Sequence, residues 1–164
     1  MALNEFEPQV LALADALRGR GWRLATAESC TGGLIAAACT AVAGSSDWFE
    51  RGFVTYSNAA KSELLGVDAG LISAQGAVSE AVARAMAAGA LARAPVQLAL
   101  AVTGIAGPGG ATPGKPVGTV WLARALAPGR VEAWRLQLGG DRAAVRTQTV
   151  QAALQAALDA LRGA

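Results

Sequence analysis

The chain has 164 residues, a length typical of one domain with a substantial buried core, so we expect a single domain over residues 1–164. Hydrophobic residues make up 53% of the chain and charged residues 16%, a composition that excludes an intrinsically disordered protein. The net charge of +2 is too small to favour nucleic-acid binding. No apolar run reaches the length of about 18 residues that predicts a membrane span.

Histidine is absent from the sequence, and cysteine occurs only at Cys30 and Cys39. Ser-His-Asp and Cys-His catalysis within this chain are therefore excluded. Two cysteines without metal-ligand spacing predict neither a disulfide framework nor a zinc site. Residues 1–8 carry two acidic side chains and no basic region, so we expect no secretory signal and a cytoplasmic protein.

The first third of the chain alternates helix and strand patterns. A first helix is predicted to begin at Asn4, with an acidic residue three positions later to complete a capping box, and to end at Gly21. Residues 22–26 then predict a short strand, and the Ala-rich residues 34–42 predict a helix. Aromatic and β-branched residues predict the next strand at 49–56.

The middle of the chain is predicted to be mostly helical. Asn58 is expected to cap a helix over 59–65, and a short helical turn follows at 68–72. Ser79 is expected to open a long Ala-rich helix that ends near residue 92. A buried strand is predicted at 96–102.

The last third begins with a Gly- and Pro-rich loop at 103–116, and a loop of that length is usually functional. Two strands at 117–125 and 130–138 are predicted to form an antiparallel hairpin, and Asp141 is expected to cap a final helix. This order of elements predicts an α/β fold. We expect a three-layer α/β/α domain with a mixed, mainly parallel sheet and a C-terminal antiparallel hairpin.

One polar stretch between the first strand and the second helix can carry chemistry. Its sequence is Ala27-Glu28-Ser29-Cys30-Thr31-Gly32-Gly33. The glycines allow close approach of a ligand, and a helix start offers N–H donors to an anion or a developing oxyanion. Ser29 is then a candidate nucleophile. The alternative is that Ser29 and Thr31 only cap the helix.

A serine nucleophile without histidine needs another base. The sequence contains two lysines, Lys61 and Lys115, while its other twelve basic residues are arginines, which stay protonated. Lys61 is the candidate base, provided that its pKa falls from about 10.4 to about 7–8 through burial or a nearby cation. Lys115 can supply that cation if the long loop folds over the site. The alternative is that Lys61 is a solvated helix residue.

Other residues can support such a site. The phenol of Tyr56, the only tyrosine, can relay a proton or orient Lys61, although an aromatic residue at a strand end also serves packing alone. Arg142 and Arg146 share one face of the last helix and can hold a phosphate, although such pairs are often only a solvated face. The loop at 103–110 offers main-chain N–H groups but matches neither the Rossmann nor the Walker A pattern.

Five motifs in this order resemble the CinA C-terminal domain family, the nicotinamide-nucleotide amidohydrolases. They are residues 27–33 above, Tyr56 with Lys61 and Leu65-Gly66-Val67, Gly76-Ala77-Val78-Ser79-Glu80, Thr103-Gly104-Ile105-Ala106-Gly107-Pro108, and Lys115-Pro116-Val117-Gly118-Thr119-Val120. The similarity covers nearly the whole chain, as far as Arg142 and Arg146. Longer members carry an additional N-terminal domain, whose activity we do not expect here.

The resemblance implies hydrolysis of nicotinamide mononucleotide to nicotinate mononucleotide and ammonia, in pyridine-nucleotide recycling. It implies a Ser–Lys site without metal or other cofactor, in which Ser29 is the nucleophile, Lys61 its base, and Tyr56 and Thr103 support them. We expect the nucleotide to be bound by residues from two of these motifs and from the last helix. These are Glu28, Cys30, Thr31, Gly32, Gly33, Thr103, Gly104, Gly107, Arg142 and Arg146.

Two alternatives stay open at this point. One is a nucleotide- or phosphate-binding module that acts through protein partners without turnover, which needs the Gly-rich loops but no neutral lysine. The other is a nucleophilic Cys30 instead of Ser29. The Ala-rich helices also make a homodimer plausible.

Overall fold

A computed structural model describes residues 2–163, which form six α-helices and five β-strands. The helices are α1 (Glu7–Arg20), α2 (Leu34–Thr40), α3 (Asn58–Leu65), α4 (Ala69–Gln75), α5 (Glu80–Ala92) and α6 (Arg142–Gly163). The strands are β1 (Leu24–Glu28), β2 (Phe49–Val54), β3 (Leu98–Gly104), β4 (Thr119–Leu126) and β5 (Arg130–Gln137). None of the helices within the described residues has the length and apolar content needed to cross a bilayer.

The strands form one sheet in the order β2-β1-β3-β4-β5. β1 pairs in parallel with β2 and β3, whereas β3 with β4 and β4 with β5 are antiparallel. β4 therefore runs against the other four strands. The predicted mixed, mainly parallel sheet with a C-terminal antiparallel hairpin is confirmed.

Helices cover both faces of the sheet because the strand side chains alternate in direction. In β3, Leu98 and Leu100 join the core beneath α1, α2 and α6, while Ala99 and Ala101 join the core beneath α4 and α5. The bulky side chains thus face one layer and the small ones face the other, where the Ala-rich α5 packs. The predicted three-layer α/β/α arrangement is confirmed.

The predicted helix caps are partly right. Ser79 Oγ accepts from the N–H of Val82 (3.3 Å), and Asp141 Oδ1 accepts from the N–H of Ala144 (2.9 Å), so both predicted caps are confirmed. Asn58 is not a cap, because Ser57 Oγ takes that position and accepts from the N–H of Ala60 (3.0 Å).

The predicted start of the first helix is also wrong. Asn4 lies inside a 3₁₀ turn at Leu3–Phe6, and α1 starts at Glu7 with Pro8 in its first turn. Proline is accepted there because the first helical N–H groups have no intrahelical partner. The cap position of α1, Phe6, makes no side-chain hydrogen bond, so its buried ring anchors the turn instead.

Three strands end at the same edge of the sheet. β1 runs to Glu28, beyond the predicted end, and β3 includes Thr103 and Gly104, which were expected in the long loop. β2 ends at Val54, before Thr55 and Tyr56. Because β1, β2 and β3 are parallel, their carboxyl ends place these residues side by side, at the edge where open α/β sheets bind ligands.

The packing of α3 against α5 depends on one glycine. A Cβ at Gly89, in the middle of α5, would collide with the carbonyl oxygen of Leu65 at the end of α3. We expect Gly89→Ala to lower the free energy of unfolding by about 1–3 kcal/mol, although alanine favours helix formation. Gly19→Ala in α1, where a Cβ meets nothing within 4 Å, should instead raise it by about 0.4–1 kcal/mol. Urea unfolding of both variants measures the difference, and equal signs would contradict the packing argument.

Candidate active site

Ser29 lies directly after β1 and faces the amine of Lys61, which α3 supplies from 32 residues further along the chain. Lys61 Nζ lies 2.9 Å from Ser29 Oγ, and both side chains are buried. The amine also donates to the carbonyl oxygens of Thr55 (2.9 Å) and Tyr56 (3.2 Å), the two residues that follow β2. The structure thus brings together the serine and the lysine that the sequence analysis paired.

The surroundings of Lys61 favour its neutral form. Burial lowers the pKa of the Lys61 amine below its ordinary value. Within residues 2–163, Lys61 forms no ion pair with a carboxylate, which would hold its charge. When charged, the amine donates to Ser29 Oγ as well as to the two carbonyl oxygens. When neutral, its two N–H groups can satisfy the carbonyl oxygens, which leaves its lone pair for the Ser29 hydroxyl. This is the geometry required to accept a proton from Ser29.

Lys115 does not contribute to this shift. Its Nζ donates to the carbonyl oxygen of Gln75 (2.9 Å), and its side chain is not on the wall of the cavity at Ser29. The expectation that Lys115 lowers the pKa of Lys61 as a nearby cation is therefore wrong. Desolvation of Lys61 by the packed strand ends is the cause instead.

Glu28 is turned away from the cavity, toward the start of α2. Its buried carboxylate accepts from the Thr31 hydroxyl (2.5 Å) and from the N–H groups of Ile35 (2.9 Å) and Ala36 (3.0 Å). The carboxylate thus satisfies donors that the sequence analysis had offered to a bound anion. The structure gives Glu28 and Thr31 a role in fastening the Ser29 loop to α2, and neither lies on the cavity wall.

Cys30 follows Ser29 and lies on the cavity wall, but its environment suppresses thiolate formation. Burial raises the pKa of the Cys30 thiol to about 11. The thiolate is the nucleophilic form of cysteine, and little of it exists at neutral pH with such a pKa. The environment therefore favours Ser29 over Cys30 as the nucleophile.

The main chain and the side chain of Tyr56 contact different residues of the site. Its carbonyl oxygen accepts from Lys61 Nζ. The residue as a whole is 61% exposed, and its hydroxyl lies 3.3 Å from an Arg142 guanidinium nitrogen. The phenol does not contact Lys61, so the structure does not bring the proposed proton relay together. The Arg142 guanidinium also donates to the carbonyl oxygen of Gly107 (2.9 Å).

Arg146, one turn further along α6, reaches a different place. Its guanidinium donates to the carbonyl oxygens of Cys30 (3.2 Å) and Thr31 (3.2 Å), which lie in the Ser29 loop. Thr103, at the end of β3, is buried and donates its hydroxyl hydrogen to the carbonyl oxygen of Ala77 (2.9 Å). Thr103 thereby holds the segment between α4 and α5 against the site.

These groups enclose a cavity of about 210 Å³ at the carboxyl ends of β1, β2 and β3. Seven of the site residues predicted from the sequence lie on its wall, namely Ser29, Cys30, Tyr56, Lys61, Thr103, Gly104 and Arg142. Six others lie off it, namely Glu28, Thr31, Gly32, Gly33, Gly107 and Arg146.

The sequence analysis missed four wall residues, which are Asn58, Ala77, Val78 and Ala106. Asn58 was assigned to a helix cap, and since Ser57 is the cap, the exposed amide of Asn58 is free to face the cavity. The other three lie within quoted motifs, which was the only signal for them. No group of three or more Cys, Asp and Glu side chains in the described part of the chain is placed to hold a metal ion.

Comparison with known proteins identifies the family of this chain. The CinA C-terminal domain family matches residues 7–161. The chain belongs to the CinA C-terminal domain family. A solved CinA-superfamily protein of Klebsiella pneumoniae 700603 covers all of this chain, with a TM-score of 0.92 and 40% identity. A competence/damage inducible protein of Agrobacterium tumefaciens aligns over 96% of this chain and 95% of its own, with a TM-score of 0.92 and 46% identity.

Curated relatives in the CinA C-terminal domain family differ in length. A protein of Enterobacter agglomerans named nicotinamide-nucleotide amidohydrolase PncC is 56% identical over 89% of both chains. The protein of the same name from Escherichia coli K12 is 52% identical over 87% of both. A CinA-like protein of Mycolicibacterium vanbaalenii is 54% identical over 92% of this chain, which spans only 35% of that protein.

The buried lysine of this CinA-family site should leave a signature in stability. Since the pKa of Lys61 is lowered on folding, the unfolded chain binds more protons between the folded and unfolded pKa values, and stability rises with pH in that window. The window ends near the ordinary lysine value of about 10.4. We expect the stability of the wild type relative to Lys61→Met to increase with pH, as measured by urea unfolding at several pH values. A difference that does not change with pH would contradict a lowered pKa.

The role of Glu28 can be tested without an activity assay. In Glu28→Gln, the amide nitrogen must face a main-chain N–H of α2 that now donates to a carboxylate oxygen, so at least one hydrogen bond is lost. We expect the free energy of unfolding to fall by about 1–3 kcal/mol. Glu63→Gln on the exposed face of α3 is the control and should change it by less than about 0.5 kcal/mol. Similar values for the two variants would reject the capping role.

Proposed function

We propose that this protein is an amidohydrolase with a Ser–Lys mechanism, and that its substrate is nicotinamide mononucleotide. The observation that carries the proposal is the buried Lys61 amine, 2.9 Å from Ser29 Oγ, with two carbonyl partners and a lowered pKa. The substrate is supported by the two relatives named nicotinamide-nucleotide amidohydrolase, at 56% and 52% identity.

In the first half of the reaction, Ser29 Oγ attacks the carboxamide carbon while Lys61 Nζ accepts the hydroxyl proton. The C–N bond then breaks, and Lys61 passes the proton to the departing nitrogen, which leaves as ammonia. The carbonyl oxygens of Thr55 and Tyr56 stabilise the transient ammonium of Lys61. The positive pyridinium ring of the substrate makes its carboxamide carbon easier to attack.

In the second half, a water molecule attacks the ester that links Ser29 to the nicotinoyl group. Lys61 takes a proton from this water and returns a proton to Ser29 Oγ when the ester bond breaks. The products are nicotinate mononucleotide and free enzyme, so one water is consumed for each ammonia released. No cofactor or metal is part of this proposal.

The oxyanion needs donors close to Ser29. Among the N–H groups of the loop, that of Gly32 donates to the carbonyl oxygen of Ser29 (3.1 Å). Cys30 lies on the cavity wall directly after the nucleophile, so its N–H is the donor that we assign to the oxyanion, with the end of β3 at Thr103 and Gly104 opposite. Arg142, on the same wall, is placed to contact the nucleotide. Recycling of pyridine nucleotides in the cytoplasm, by a homodimer, completes the proposal.

The decisive measurement is ammonia release from nicotinamide mononucleotide by the purified protein. We expect Ser29→Ala and Lys61→Arg to reduce turnover by about 10³-fold or more, because the first lacks the nucleophile and arginine cannot accept the proton. Both variants should still bind the nucleotide, as measured by calorimetry.

Ser73→Ala and Lys115→Arg are the matched controls, since neither residue lies on the cavity wall, and both should keep wild-type turnover. Normal turnover in Ser29→Ala would remove the serine from the mechanism. A wild type that binds the nucleotide without releasing ammonia would instead support a binding module that acts through partners.

A further inference from the structure

A second, larger cavity adjoins the catalytic one. It measures about 560 Å³, and its wall includes Ala106, Pro108, Val117 and the first turns of α6. Ala106 and Arg142 belong to the walls of both cavities, so the two spaces meet there. The catalytic cavity, at about 210 Å³, is smaller than the roughly 300–1,000 Å³ of typical ligand pockets. The second cavity is therefore the adjoining space that can take the part of a nucleotide for which the catalytic cavity has no room.

The wall of the second cavity carries two cations. Arg142 and Arg146 are four residues apart on α6 and lie on one face of the helix. Asp141 lies on the same wall, but its Oδ1 accepts from the N–H of Ala144 as a helix cap. Arg142 uses two of its guanidinium N–H groups for Gly107 and Tyr56, and a guanidinium has five. The remaining donors suit a phosphate dianion.

Arg146 connects this cavity to the nucleophile. The same guanidinium that lies on the wall of the second cavity holds the carbonyl oxygens of Cys30 and Thr31. These residues directly follow Ser29, whose hydroxyl must stay within reach of Lys61. An anion that contacts Arg146 can therefore affect how its guanidinium holds the Ser29 loop.

We propose that the second cavity binds the substrate phosphate, and that Arg146 uses this contact to hold the Ser29 loop in its reactive position. Arg142 is then the phosphate-binding residue, and Arg146 is a positioning residue. Binding energy from the non-reacting phosphate is spent on orientation of the reacting groups, which raises kcat as well as affinity. This inference rests on the proposed amidohydrolase function and adds a division of labour between the two arginines.

The test supplies the substrate in two pieces. Nicotinamide riboside lacks the phosphate, and phosphite dianion can occupy the phosphate subsite separately. We expect the wild type to hydrolyse the riboside slowly and phosphite to increase its kcat/KM by about tenfold or more, with sodium chloride at equal ionic strength as the control. If the wild type turns over the mononucleotide but phosphite leaves riboside hydrolysis unchanged, the phosphate coupling is refuted.

Variants separate the two arginines. Arg142→Ala should raise KM for the mononucleotide and the phosphite concentration needed for half-maximal activation. Arg146→Ala should reduce kcat by about 10²-fold and abolish activation even at saturating phosphite, because the loop is no longer held. Arg146→Lys, which keeps a donor to the loop carbonyls, should recover part of both. Arg130→Ala, on the 72% exposed side chain in β5, is the control and should behave as the wild type.

The outcomes distinguish this inference from the proposed function. If Arg146→Ala folds normally by thermal melting, changes KM alone and retains full phosphite activation, then Arg146 is an ordinary phosphate ligand and the positioning role is wrong. If the wild type turns over no mononucleotide, the proposed function fails first. Stabilisation against heat by phosphite, present in the wild type and lost in Arg142→Ala, would still support the subsite, and its absence from the wild type would reject it.

Discussion

The site depends on one buried contact between an amine and a hydroxyl. Lys61 is placed where burial disfavours its charge, and carbonyl oxygens of the β2 strand end accept its N–H groups. Ser29, from the neighbouring strand end, meets the remaining face of the amine. This arrangement exists because β1 and β2 are parallel and end at the same edge of the sheet. The helix α3, which follows β2, places the Lys61 side chain against both strand ends. The chain contains no histidine, and in the proposed mechanism the buried lysine is the base that imidazole supplies in other serine hydrolases.

The loop that carries Ser29 is restrained from two sides. On one side, the Glu28 carboxylate accepts from the start of α2 and from Thr31. On the other side, the Arg146 guanidinium donates to two loop carbonyls, so α6 acts on the site although most of its length serves the core. A charged side chain on each side is therefore hydrogen-bonded to this loop. The loop needs such support because two glycines in it have positive φ and little intrinsic preference for one conformation.

Most of the fold follows from local patterns. Apolar periodicity, the Ala-rich segments and the Gly and Pro positions predicted the order of elements and the hairpin, and the errors lie at the ends of elements. The capping error at Ser57 and Asn58 has a simple reason, since both side chains can accept from a helix N–H and the local sequence does not choose between them. Thr103 and Gly104 were expected in a loop because a Gly- and Pro-rich sequence begins there. In the structure, pairing with β4, which lies further along the chain, extends β3 through both residues.

The sequence by itself excluded histidine chemistry, marked Ser29 and Lys61 as the candidate pair, and indicated the α/β architecture. These conclusions depend on residue types and on local sequence patterns, both of which can be read directly from the amino-acid sequence. Only the tertiary structure decided that burial lowers the pKa of Lys61, that the Glu28 carboxylate accepts from the start of α2, and that Arg142 and Arg146 contact different partners. Those properties depend on distances between residues far apart in the chain and on the solvent that packing excludes, and neither quantity is encoded in any one segment.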